Sequence, residues 1–168
     1  MKTNDFVKKY YPFAKVTENK SGISAIFILA QAAIESGWGE STPGNMFFGV
    51  KATKATPENK RQLLTTSEVF SDDKQGGRFP VVLSIDKRQD GKYLYRVKDW
   101  FVKYDTPEQC FTEHTDFFIR NKRYVKALEV KSDPYKFAEE VAKAGYATDP
   151  NYAAKLKSVI KIIEPLAK

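Results

Sequence analysis

The stretch ILAQAAIESGWGE, residues 28–40, sets a carboxyl, Glu35, at the end of a run that is otherwise nearly all apolar. In a helix, Glu35 would stand at the C-terminal end, where desolvation and the negative pole of the helix dipole both disfavour the carboxylate and raise its pKa. A carboxylic acid still protonated near neutral pH is a general acid, suited to handing a proton to a glycosidic oxygen as its bond to carbon breaks. Trp38 offers a flat face for a sugar ring, and Gly37 and Gly39 allow a sharp turn and a close approach of backbone to ligand. The competing reading is a glutamate that merely reaches water from a frayed helix end; Trp38 and the two glycines weigh against it.

The other candidate chemistry is sparse. Cys110 is the one cysteine and His114 the one histidine, so there is no internal disulfide. Standing four apart on a helix, the two share a face, but two ligands do not make a structural zinc site, and core packing is the expectation. No metal and no cofactor are implied. Lys and Arg total 28 against 21 Asp and Glu, a formal charge of +7, which favours polyanionic surroundings such as nucleic acid, an acidic membrane face or an anionic cell wall. A nucleic-acid-binding module would cluster its basic residues with exposed aromatics, whereas here they are dispersed along the chain. Lys122, Arg123, Lys126 and Lys131 read as a solvated helix face. The N-terminal MKTNDFVKKYYPFAK has no apolar core of a signal peptide, and no segment reaches the ~18 apolar residues of a membrane span. Such a chain leaves the cell by another route or is one domain of a longer protein.

The elements that must position Glu35 follow from periodicity. Residues 4 to about 16 read as one or two helical pieces around Pro12, with Phe6, Tyr10 and Phe13 at spacings of four and three. Ser24 caps a second helix through Ile34 that Gly37 closes; being apolar almost all round, it must be central and buried. From about 61 to 104 the pattern changes to short alternating runs, LLTTSEVF, FPVVLSI and KYLYRVKDWFVKY, the last two joined across Asp90-Gly91, a hairpin signal. Trp100 reads as core of this small sheet, with a solvent-facing ring that stacks on sugar near a groove as the alternative. Helices then return: one from Pro107, with Thr106 and Gln109 at capping-box spacing and Phe111, Phe117 and Phe118 on its core face, one from Pro134 to Gly145, and a last one after Asp149-Pro150. The fold class is α+β, with a small antiparallel sheet inserted into a helical body.

AQAAIESGWGES, followed by NMFFGVKA at 45–52, resembles the signature of glycoside hydrolase family 73, the bacterial N-acetylglucosaminidases found in flagellar rod-cap proteins, autolysins and phage lysins. The resemblance continues through LLTTSEVF, VKYDTPEQCFTEHTDFF and AGYATDPNYAAKL, from about Gly22 to Ile160. It implies a single domain over 1–168, with a lysozyme-like helical lobe (about 1–50 and 105–168), a β-lobe (about 51–104) and a glycan-holding groove. It also implies cleavage of the β-1,4 bond on the reducing side of N-acetylglucosamine in peptidoglycan. The implied partner is the peptidoglycan glycan strand, met by a monomer at the bacterial wall, in the periplasm, outside the cell or after release by a phage.

Carried over by position, Glu35 matches the family's general acid. Glu68, in TTSEVF, matches the acidic residue of the β-lobe that activates water in some members, with Asp72 and Asp73 as substitutes and a solvent-facing strand position as the bland alternative. Tyr146 matches a tyrosine across the groove that holds the acetamido group or steadies charge at the anomeric carbon; packing at a helix corner is its alternative. Trp38, Asn45, Phe48, Gly49 and Tyr152 complete the implied substrate-binding set. Asn45 and Phe48 fall in the family's N-x-F-G element, here with an additional aromatic, Phe47, so that either Phe47 or Phe48 points inward. Two other readings fit a lysozyme-like lobe: a lytic transglycosylase or muramidase, and a non-catalytic wall-binding domain. The strand-rich insertion favours the glucosaminidase, and Glu35 favours an enzyme.

Overall fold

The first helix, α1 (Thr3–Ser21), runs through Pro12 without a break. Two helical pieces were one of the arrangements expected there. Proline removes one backbone N–H bond and crowds the preceding turn, but Pro12 lies on the exposed face, where water can satisfy the freed carbonyl. The opposite face, Phe6, Tyr10, Ala14 and Thr17, is buried and holds the helix in register. Gly22 ends α1 in the left-handed conformation, and Lys131 Nζ donates to Ser21 O at 3.0 Å, so Lys131 secures this helix end instead of belonging to a solvated face.

Helix α2 (Ala25–Ser36) begins where Ser24 accepts a bond from Phe27 N and ends at Gly37, φ 58°. It is central: nine of its twelve residues are buried, and it packs against α1, α5 (Pro134–Lys143) and α6 (Tyr152–Ile163). Each fully buried Leu, Ile or Phe in such a helix contributes about 1.5–3 kcal/mol of transfer free energy. Helix α3 (Pro107–Arg120) opens with Thr106 accepting from Gln109 N, while Gln109 Oε1 reaches back to Asp105 N at 3.0 Å. Phe111 and Phe118 are buried as expected, but Phe117 is 45% exposed. A short helix, α4 (Val125–Leu128), was not anticipated; α5 is capped by Asp133, which accepts from Tyr135 N and Lys136 N. The structure describes every residue, Met1–Lys168, in a computed structural model. The chain divides into two compact units, a helical one of Met1–Phe48 and Tyr104–Lys168, and a second of Gly49–Lys103.

The second unit is a three-stranded antiparallel sheet of β1 (Arg61–Phe70), β2 (Val81–Lys87) and β3 (Tyr93–Val102), in the order β1-β3-β2. The β2–β3 hairpin turns at Asp90-Gly91, with Arg88 N donating to Lys92 O at 2.7 Å. The register pairs Glu68 with Tyr95 and Leu63 with Trp100. Facing pairs in an antiparallel ladder share a side of the sheet, so these two pairs lie on opposite sides. Tyr95 and Val97 are fully buried, whereas Trp100 is 41% exposed beside exposed Leu63. Trp100 is therefore not core: three strands have too little surface to cover both faces.

Candidate active site

The E-S-G-W-G segment is a built helix terminus. Ser36 Oγ donates to Ala32 O at 2.5 Å and accepts from Gly39 N at 2.9 Å, and Trp38 N donates to Ala33 O at 2.8 Å. These bonds fold the chain back tightly enough to hold Trp38 at φ 58°, a conformation rare for a large side chain. A Cβ at Gly39 would meet Phe6 at 3.1 Å and Tyr10 at 3.2 Å, so the close approach that requires glycine there is to α1, not to a ligand. The indole of Trp38 is half-buried with its edge on Phe6, ring centres 5.5 Å apart.

Glu35 emerges from this buried helix as an exposed residue. Its carboxyl is nonetheless partly withdrawn from water, and desolvation raises its pKa. No cation pairs with it. The pKa direction expected from the sequence is present, with desolvation as the cause.

Beneath it lies a polar relay that sequence reasoning missed. Gln31, one turn before Glu35 on α2, is fully buried; its Nε2 donates to Tyr152 Oη at 2.8 Å, which turns its Oε1 towards His114 Nε2 at 2.6 Å. His114 therefore carries its proton on Nε2. Burial holds its pKa down to about 3, so it stays neutral. The signal was legible: one glutamine in an otherwise apolar, buried helix must find partners inside. Cys110, on the same face of α3, accepts from Phe47 N, and burial pushes its thiol up to about 12.

Aromatic rings surround the relay. Tyr146 stacks on Tyr152 at 5.5 Å and 18°, the former half-buried and the latter 6% exposed. Burial pushes both phenols far above their usual range, and the negative charge of Glu35 adds to both shifts, which puts the carboxyl within electrostatic reach of the pair. Phe47 is buried and Phe48 half-exposed, its ring stacked on His114 at 3.7 Å and 12°. Phe47 is thus the inward residue of N-x-F-G. Asn45, at φ 54°, donates through Nδ2 to Tyr104 O at 3.0 Å and fastens its loop to the start of α3.

Glu35, Tyr146, Tyr152, Trp38, Asn45 and Phe48 all lie in the helical unit. Gly49 and Glu68 belong to the second. There Glu68 is half-buried and pairs with Lys51 Nζ at 2.6 Å, which also reaches Asp99 at 3.2 Å. Asp72 is engaged in its own loop, accepting from Lys74 N at 2.9 Å and from Gln75 Nε2, bonds that lower its pKa. Asp73 is exposed.

Comparison with known proteins gives this arrangement a lineage. The family model described as mannosyl-glycoprotein endo-beta-N-acetylglucosaminidase, the glucosaminidase family, matches residues 11–164. The chain is similar to the peptidoglycan hydrolase FlgJ of Pseudomonas aeruginosa, 28% identical over 94% of this chain and 36% of the relative. It is likewise similar to FlgJ of Salmonella typhimurium, 29% identical over 99% of this chain and 48% of the relative. It thus spans less than half the length of these curated relatives. Among solved structures, the truncated glycoside hydrolase domain of Salmonella typhimurium FlgJ superposes with a TM-score of 0.73 at 30% identity, covering 98% of this chain and 99% of that one. A peptidoglycan hydrolase mutant from Sphingomonas sp. A1 gives 0.68 at 29% identity, covering 97% of each chain. A match across nearly the whole chain, in sequence and in structure, makes this protein a member of the glucosaminidase family of glycoside hydrolases.

Proposed function

We propose that this chain is an endo-β-N-acetylglucosaminidase that cleaves the β-1,4 bond between N-acetylglucosamine and N-acetylmuramic acid in peptidoglycan, with Glu35 as general acid. The observation that carries the reading is the carboxyl of Glu35 at the end of the buried helix α2, desolvated and without a counter-cation, one turn beyond the buried Gln31 that bonds Tyr152, on which Tyr146 stacks. The relatives named as peptidoglycan hydrolases support the substrate class.

In this mechanism Glu35 gives its proton to the glycosidic oxygen as the bond to the anomeric carbon breaks, and positive charge grows on the sugar ring. Tyr146, held as a neutral phenol on Tyr152, presents an O–H dipole to the acetamido group or to that charge. Tyr152 is nearly buried, so its part in binding is to carry Tyr146 from beneath, fixed through Gln31 and His114. Trp38 and Phe48 offer ring faces to the sugars, and Asn45 and Gly49 shape the loop beside Phe48. Glu68 is the proposed base for the attacking water, with assistance by the substrate's own acetamide as the other route to the same product. The working unit is one chain acting on the wall outside the cytoplasm, and no helix is long and apolar enough to cross a membrane.

The test is mass spectrometry of purified cell walls digested by the wild type beside Glu35→Gln. The expected result is new reducing ends on N-acetylglucosamine, absent with the variant. Reducing ends on N-acetylmuramic acid would make the protein a muramidase, an anhydro product a lytic transglycosylase, and no product a wall-binding domain.

A further inference from the structure

Phe117 was expected in the core and is instead 45% exposed, next in sequence to a fully buried Phe118. It does not stand apart from the site. Its ring lies 6.3 Å from His114 at 11° and 6.5 Å from Tyr146. His114 is itself stacked on Phe48. The rings of Phe48 and Phe117 are therefore both nearly parallel to that of His114, which is covered, while Phe48 is half-exposed and Phe117 open. Beside Phe117 is a shallow hollow of about 350 Å³ lined by Glu113, Phe117, Arg120 and Asn121.

We propose that this hollow is an outer subsite for one N-acetylated sugar of the glycan strand, stacked on Phe117 and held at its edges by Arg120, Asn121 and Glu113. The proposal rests on the glycan-cleaving reading above. The volume is at the lower end for small-ligand sites, the size of a single sugar rather than a peptide segment. Its chemistry suits a pyranose: an apolar ring face for the C–H side, with donors and an acceptor around it for hydroxyl and acetamido groups. Asn121 Oδ1 is occupied by Arg123 N at 3.1 Å, so its amide N–H₂ is the group left to donate. Arg120 pairs with Asp116 at 3.6 Å in open solvent, a weak tie that leaves the guanidinium able to swing to a ligand. The carboxylate of Glu113 opposes an anionic occupant, and so many polar groups oppose an apolar one. The nearness of Phe117 to Tyr146, ring centres 6.5 Å apart, selects the next sugar of the bound strand.

The experiment is titration calorimetry of N-acetylglucosamine oligomers, from dimer to hexamer, against Glu35→Gln protein with and without Phe117→Ala. Loss of affinity is expected for the longer oligomers only, roughly 3–10-fold, the scale of one ring contact, with Phe117→Trp restoring it. Arg120→Ala should give a smaller loss with the same length dependence. Equal affinity at every length would overturn the subsite. So would an equal loss at every length, which would make Phe117 a support of the central site. Wall digestion by the wild type separates the two readings: digestion with unchanged Phe117→Ala affinities sinks the subsite alone, and no digestion with no oligomer bound sinks both.

Discussion

In the helical unit the carboxyl of Glu35 stands at the end of an apolar helix with no cation beside it, whereas in the second unit Glu68 sits on a thin sheet and shares Lys51 with Asp99. The contrast is one of solvent and charge. Withholding a counter-cation while removing water favours the protonated acid at Glu35, whereas Glu68 has a lysine at ion-pair distance. The surroundings differ to match. Near Glu35 the relay His114–Gln31–Tyr152 is buried and hydrogen-bonded, so its members have little freedom. On the sheet that carries Glu68 many apolar side chains remain open to water, Leu63, Val69 and Trp100 on the side opposite Glu68 among them.

The sharpest way to break this comparison is at Glu35. Glu35→Gln keeps the shape and loses the proton, and hydrolysis is expected to fall by about 10²–10⁴-fold; retention of more than about a tenth would remove Glu35 from its role. Its pH behaviour sharpens the test. With a raised pKa, the folded state is favoured while Glu35 is protonated and loses that advantage as pH rises through the folded pKa. Wild-type activity should therefore extend above the ordinary carboxyl range before declining. The melting temperature of Glu35→Gln should gain on that of the wild type as pH is raised from 4 to 8.

At Glu68 the expected loss is next in size. If this carboxylate activates water, Glu68→Gln should lower turnover by about 10²-fold, with glycan affinity little changed, and azide should partly rescue Glu68→Ala by serving as the nucleophile. A modest loss without azide rescue would assign that step to the acetamide of the substrate. Near-wild-type turnover would leave Glu68 a structural partner of Lys51 and turn attention to Asp73, since Asp72 is held by its loop.

His114 tests the rigid side of the comparison. His114→Gln can still donate to Gln31 but loses the stack on Phe48, and should cost about 1–3 kcal/mol at pH 7, read by denaturant unfolding. The sign with pH is opposite to that of Glu35. A histidine held neutral, with its pKa depressed to about 3, stabilises the fold above its unfolded pKa of ~6.5 and loses that contribution as pH falls towards 3. The wild type should lose stability between pH 6.5 and 4 more steeply than the variant. The smallest effect belongs to Lys51→Met: a partly exposed ion pair is worth under about 1 kcal/mol, so a larger loss would show that Lys51 supports the sheet itself.

The helices, their caps and the hairpin were legible in the sequence because each depends on local chemistry. Ser24, Thr106 and Asp133 cap where they stand, the Asp90-Gly91 turn closes where it is written, and the apolar run before Glu35 has to be buried whatever surrounds it. Glu35 stood out as a candidate for a similar reason, since the carboxyl ends that run and has Gly37, Trp38 and Gly39 directly after it. Other outcomes depended on what packs against what. Pro12 stays within one helix because its face meets only water, Phe47 turns inward and Phe48 outward, Lys131 closes the end of α1, and Phe117 and Trp100 are open although both read as core. The relay through Gln31 and His114 joins residues 83 positions apart, and local periodicity carries no information about such a pair. Sequence dictated which groups must be buried or turned, because those are properties of a few neighbouring residues; tertiary packing alone decided which rings face solvent and which buried polar atoms meet, because those depend on distant segments arriving at the same place.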